Sequence, residues 1–360
     1  MAVQRFVVCL AVLLIAASGA SAQDSCSCKN LESLQQELKN ALYEARFFES
    51  LSKRLDVIEK KQAEINKDPT NKDSGLLVLK VSADARKAIM ASEFKPPYPK
   101  VAGYTGPESV DMEAGKCTQN PADLEAMRKG SSCKEIADIT LQHEEAHRTL
   151  CTSMGADKYW GRMPSEIAAE EAQRYRAQAE AMRGQLKRVI DEGTLTVEAV
   201  MEPRVFGPQF DVTYSYVTPK MELNGKSSAG SDTWTLNGKG TQAGKIKKAK
   251  IAGMTCKPSG QLNDTVTMAF DTDGLTMSID EKTKADSGDI YIKCGGGFGM
   301  SMRPKNDQGG GNLIRDADFE IESVREVDIS TMEFAQMIRQ GGMSVSGTHK
   351  TTVTLVCPGN

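Results

Sequence analysis

From Leu31 to Ile65 apolar residues recur at Leu31, Leu34, Leu38, Leu42, Ala45, Phe48, Leu51, Leu55, Ile58 and Ile65, with charges between them. Spacing of three and four predicts one long amphipathic helix. The stripe leaves the strict seven-residue grid after Phe48, which favours packing on a neighbouring helix over a self-sufficient coiled coil. Leu76 to Val81 reads as a short strand. Lys95-Pro96-Pro97-Tyr98-Pro99 through Gly106-Pro107 reads as an extended connector, because proline and glycine at this density break regular structure. Pro121 to Lys129, with Gly130 just past its end, predicts a short helix. Ser132-Cys133-Lys134-Glu135 has the form of a capping box and opens a helix that runs to Gly155. Pro164 opens the next, which continues to Gly193.

Beyond Thr194 the period changes from helical to alternating, in Val212-Tyr214-Tyr216, Val266-Met268-Phe270 and Val353-Leu355-Cys357. These predict strands with one face buried. Asn224-Gly225, Asn237-Gly238 and Gly309-Gly310-Gly311 read as punctuation between strands, and only Thr331 to Gln340 reads as helical in this half. The expected class is α+β: a helical module followed by an antiparallel β sandwich or barrel. The expected segments are 1–22, 23–115 with the long helix and connector, 116–193 with the helical module, and 194–360 with the β-rich domain.

The first 22 residues add a destination. A basic start, an apolar run from Phe6 to Ala17 and the ending Ala20-Ser21-Ala22 have the form of a cleavable signal peptide. The expectation is a secreted or periplasmic protein with no membrane span, since the apolar run is shorter than the roughly 20 residues that cross a bilayer. Cys26, Cys28, Cys117, Cys133, Cys151, Cys256, Cys294 and Cys357 remain, an even set that predicts disulfides. Five precede residue 160 and three follow it, so complete pairing needs at least one bridge between the halves. Cys133 and Cys151 lie at opposite ends of one predicted helix, about 27 Å apart at 1.5 Å per residue, and cannot pair with each other. A formal charge of −3 and pI near 5.8 show no net basic field for nucleic acid or an anionic membrane.

Chemistry concentrates in His143-Glu144-Glu145-Ala146-His147. Histidines four apart on a helix share a face about one turn apart, so both imidazoles reach a single ion. Glu144 stands about 100° further round, off the ligand face but placed to hydrogen-bond a water beside the ion. Histidine is scarce, with His143, His147 and His349 the whole complement. Ile136, Thr140, His143, His147 and Leu150 form one stripe, which points the pair inward, where burial without a partner is costly. A tetrahedral site needs a third protein ligand. Glu166, Glu170 and Glu171 head the following helix. Matching distances from the turn on two antiparallel helices favours Glu170 or Glu171 and leaves Glu166 too near the turn.

The stretch from Cys117 to about residue 192 resembles the gluzincins, in which HExxH is followed some twenty residues later by a glutamate ligand on a second helix. It most resembles small exported bacterial proteins with the order Cys, helix, HExxH, Cys, Glu-x-x-Ala-Tyr. Cys133, His143, Glu144, His147, Cys151, Glu171 and Tyr175 fit that order, with Arg174 where alanine is usual. The resemblance implies zinc held by His143, His147 and Glu171, with Glu170 as the alternate, and Glu144 as general base acting on a protein or peptide substrate. It implies a ligand-steadying or oxyanion role for Tyr175, against an ordinary packing role.

Other signals read as structure. Gly295 to Gly299 and Asp271-Thr272-Asp273-Gly274 are expected turns, Cys26-x-Cys28 lacks zinc-ligand spacing, and His349 reads as an exposed or edge residue. A second reading keeps zinc as a fold stabiliser and gives partner binding to the β-rich domain or the 31–65 helix. A third makes residues 23–115 a cover over the site.

Overall fold

The computed structural model describes residues 24–65, 115–119, 121–225, 234–302 and 308–358. The expected signal peptide, the Leu76–Val81 strand and the proline-rich connector lie outside these residues. Helices α1 (Leu31–Ile65), α2 (Pro121–Gly130), α3 (Lys134–Met154), α4 (Ala156–Trp160) and α5 (Pro164–Glu192) precede nine strands, and α6 (Glu333–Gln340) falls just before the last strand. The protein is α+β.

Two compact units are present, one within 24–26 and 33–185 and the other within 27–32 and 186–358; the boundaries fall inside α1 and α5. In the first unit, Tyr43, Phe47, Leu51 and Leu55 recur every fourth residue along α1 and are buried together with Ala168 of α5. Small side chains at Ala168 and Ala172, both buried, suit close helix approach. Burying a residue such as Phe47 stabilises by roughly 1.5–3 kcal/mol. The long helix is therefore core.

Helix α3 begins one residue later than the capping box predicts. Cys133 occupies the cap position without a side-chain cap bond. The Glu135 carboxylate instead accepts the Cys26 N–H at 2.6 Å, and Lys134 N–H donates to the Asp24 carbonyl at 3.0 Å. The cause is the Cys26–Cys133 disulfide, which brings the N-terminal segment to the helix start. At the other end Gly155 takes φ +86°, a value that glycine reaches without a Cβ clash. The Cys117–Cys151 disulfide holds that end.

In the second unit, strands β1 (Thr194–Gly207), β2 (Phe210–Leu223), β3 (Trp234–Ile251), β4 (Met254–Thr272), β5 (Thr276–Lys293), β6 (Gly299–Met302), β7 (Gln308–Asp318), β8 (Glu322–Asp328) and β9 (Ser344–Val356) form one antiparallel sheet. Their order is β6-β5-β4-β3-β2-β1-β9-β8, with β7 also paired to β5. The β-rich half is thus a single sheet that is not closed into a barrel. Val266, Met268 and Phe270 are fully buried on one face, as their alternation predicts. Leu186, Val189 and Ile190, the end of α5, are buried in this unit, with Leu186 near Gly274 and the Trp234 ring.

Two punctuation readings are corrected. Asn237-Gly238 lies inside β3, and Gly309 to Gly311 lie inside β7. At Gly238 the reason is steric: a Cβ there would sit 2.6 Å from a Leu223 methyl and 3.1 Å from the Met221 sulfur, so glycine is the residue that lets β2 side chains lie across β3. His349 is also corrected. It is 3% exposed, because it shares the buried face of β9 with Val345, Thr351 and Val353 and stands between Met201 of β1 and Val327 of β8. The turns at Asp271 to Gly274 and Gly295 to Gly297 are present, the first held by Asp273, which accepts from the Leu275 and Thr276 N–H groups.

The eight cysteines among the described residues all pair: Cys26–Cys133, Cys28–Cys357, Cys117–Cys151 and Cys256–Cys294. The expected link between sequence halves is Cys28–Cys357. Cys133 and Cys151 take separate partners, as the helix length requires.

Candidate metal centre

His143 and His147 are buried on the inner face of α3. Their Nε2 atoms are 3.1 Å apart. The Glu171 carboxylate of α5 closes the triangle, with one oxygen 3.5 Å from His143 Nε2 and the other 3.4 Å from His147 Nε2. Among the described residues, these three and the group Cys26, Cys133, Glu135 are the sets with metal-ligand chemistry in one place; the latter is spent on a disulfide. Four ligands about 2.05 Å from a tetrahedral zinc lie about 3.3 Å from one another. The observed spacings bracket that value, and the donor set of two imidazoles and a carboxylate suits zinc.

Glu170, the alternative from helix counting, points elsewhere. Its Oε1 is 3.1 Å from His147 Nδ1, the outer ring nitrogen. With Nε2 turned to the centre, Nδ1 carries the hydrogen and donates it to Glu170, and the Tyr159 oxygen, 3.3 Å away, shares that hydrogen. Glu170 is itself held by Arg162 on its other oxygen. The Arg162 guanidinium lies over the Tyr159 ring, 3.9 Å from its centroid, and its Nε–H donates to the Tyr159 carbonyl at 3.0 Å. Sequence reasoning misses Tyr159 and Arg162. They belong to α4 and the turn after it, too short to show a period, and no spacing rule connects them to the histidines. His143 Nδ1, by contrast, has no partner among the described residues.

The centre favours positive charge. Burial works against protonation of His147, but the Glu170 and Glu171 carboxylates outweigh it and lift the imidazole to about 9. Burial likewise works to raise Glu171, and the two histidines outweigh it, holding the carboxyl at about 2. A cation at the centre satisfies the same field.

Glu144 is half-buried on the flank of α3. Tyr175 packs, with its ring 4.5 Å from the His143 ring and stacked on Phe48 at 5.7 Å. Arg174 has its Nε 3.5 Å from Glu170 and borders a cavity of about 400 Å³ with Gln142, Ala146 and Leu150. This cavity is on the other side of α3 from Glu144, so it is not a cleft in which that carboxylate acts. Glu166 accepts the Met163 N–H at 3.1 Å, closing the start of α5 away from the centre.

Comparison with known proteins returns no match: no family model fits the chain, and no curated protein or solved structure is significantly similar to it.

Proposed function

We propose that the chain is a zinc-dependent hydrolase of peptidase type, with His143, His147 and Glu171 holding the ion and Glu144 as general base. The observation that carries this reading is the convergence of the two imidazole Nε2 atoms, 3.1 Å apart, on the Glu171 carboxylate, one of whose oxygens is 3.5 Å from His143 Nε2 and the other 3.4 Å from His147 Nε2, spacings that suit a tetrahedral zinc with its fourth position left over. Zinc there would supply Lewis acidity, lowering the pKa of water toward neutrality. Glu144 takes a proton as the water oxygen adds to the carbonyl carbon, and returns it to the leaving amine as the C–N bond breaks. Glu170 fixes the His147 tautomer so that Nε2 keeps its lone pair for the ion. Tyr175 and Phe48 wall the His143 side and limit rotation of that ring.

The test uses the oxidised chain from residue 23 with zinc content, casein hydrolysis and two variants. The expected result is about one zinc per chain, lost in His147→Ala, and hydrolysis abolished in Glu144→Gln with zinc retained. Bound zinc without hydrolysis in any form would assign the ion to fold stabilisation, and a chain that takes up no zinc would dismiss the centre.

A further inference from the structure

One end of the sheet gathers apolar side chains from separate turns. Register carries Ser344 to Phe206, Gly207 to Phe210, Phe210 to Ile251 and Ile251 to Met254, so the turns before β9, between β1 and β2 and between β3 and β4 share one edge. The Cys256–Cys294 disulfide brings the glycine turn after β5 to the same edge. Met343 and Phe298 stand on these turns and Met254 opens β4 beside them, 37%, 49% and 39% exposed. Gly296 and Gly297 at φ +77° and +83° form the bend that presents Phe298.

Just behind this rim the exposed face of the sheet is cationic. Cys256, Ile290, Ile292 and Cys294 are buried in one cluster, so alternation places Lys257 and Lys293 on the opposite, exposed face. The two lysines stand directly opposite each other in register, an arrangement that costs stability on a sheet. Lys248 and Lys250 of β3 are exposed beside them. The acidic groups nearby are engaged, Asp211 by Arg204 and Glu202 by Lys247. Lys248, Lys257 and Lys293 have no ion-pair partner among the described residues. A net charge of −3 conceals this local field.

We propose that this edge is a docking surface for an anionic membrane, with Met343, Met254 and Phe298 entering the interface and Lys248, Lys257 and Lys293 meeting lipid headgroups. A soluble polyanion would account for the lysines but leaves the apolar rim without a role. A bilayer surface accounts for both, in the order observed: apolar tips outermost and the cations three to six residues behind along the chain. The inference is independent of the metal centre.

The test is sedimentation with vesicles of phosphatidylcholine, alone or with a quarter phosphatidylglycerol, in about 0.1 M salt. Binding is expected only to the anionic vesicles. Each lysine near such a surface contributes roughly a factor of five, so K248Q/K257Q/K293Q should bind about 100-fold more weakly. In F298W, made in a Trp160→Phe background, the emission should shift to the blue on adding anionic vesicles. Equal binding to neutral vesicles, or no loss in the triple variant, would overturn the proposal. So would an unmoved F298W spectrum with full competition by dextran sulfate, which would assign the face to a soluble polyanion.

Discussion

Replacing Glu281 with glutamine should make the β-rich unit more stable at neutral pH and leave it unchanged near pH 4.5. Glu281 is buried on β5, with the Gln242 amide donating to it at 3.3 Å and to the Thr218 hydroxyl at 3.0 Å. Burial pushes its carboxyl up to about 7 from an ordinary 4.5, only partly offset by Gln242. Between those values the unfolded chain has lost the proton and the native chain keeps it, so stability falls as pH rises, by about 1.4 kcal/mol per unit. The full loss is about 3 kcal/mol and is complete above pH 7. Buried His349 runs the other way. Burial lowers its imidazole from 6.5 to about 4, so stability is lost as pH falls through that window. Between about pH 4.5 and 6.5 the two slopes oppose each other and the native protein is flat. Urea unfolding read by the buried Trp234, in a Trp160→Phe background with chelator present, separates them. E281Q should gain about 3 kcal/mol over the parent at pH 7.5 and nothing at pH 4.5. A gain of equal size at both pH values would refute the argument, because it would owe nothing to the carboxyl's proton.

His349→Gln removes the opposing arm, so its stability should fall monotonically from pH 4.5 to 7 in the same unfolding series. Glu170→Gln should weaken zinc binding about 10- to 100-fold in a chelator competition while far-UV circular dichroism stays unchanged, since it loosens the His147 tautomer without removing a ligand. Cys117→Ser/Cys151→Ser opens a loop of 34 residues and should cost about 4 kcal/mol in the chain-entropy view, measured by urea unfolding. Gly347→Ala should prevent normal pairing of β9 with β1, because its Cβ would lie 2.1 Å from the Glu202 carbonyl oxygen at φ +133°; native yield and circular dichroism would report the failure.

The helices were legible because α1 carries its own period and because Pro164, Gly155 and Gly193 mark ends that backbone sterics enforce. The histidine pair was legible because a spacing of four has one geometric meaning on a helix. Glu170 and Glu171 were reached together by counting, but neighbours on a helix differ by 100°, and the count could not say which faced the histidines. Only the packed pair of helices assigns Glu171 to the triangle and Glu170 to the outer nitrogen. Much of the sheet was hidden for a different reason. In β3, Gly238, Gly240 and Gly244 stand where alternating apolar residues would announce a strand; a Cβ there would meet Leu223, Met221 or Tyr216. The burial of β3 is supplied by its neighbours' side chains, so its own sequence looks like a loop. His349 was misread because its burial depends on β9 being a central strand with that face covered, and a histidine alternating with threonines carries no apolar signal of it.

Cys26 and Cys28 are separated by one residue but close rings of very different size, 107 and 329 residues. Synthesised from its N-terminus, the chain can complete the first bond once residue 133 has been made, whereas the second waits for residue 357. During that interval Cys28 is an idle thiol beside a finished bridge, well placed to attack it and swap partners. Correct oxidation is therefore a matter of timing as much as of proximity, and the yield of native protein should depend on an isomerase that can undo the early exchange.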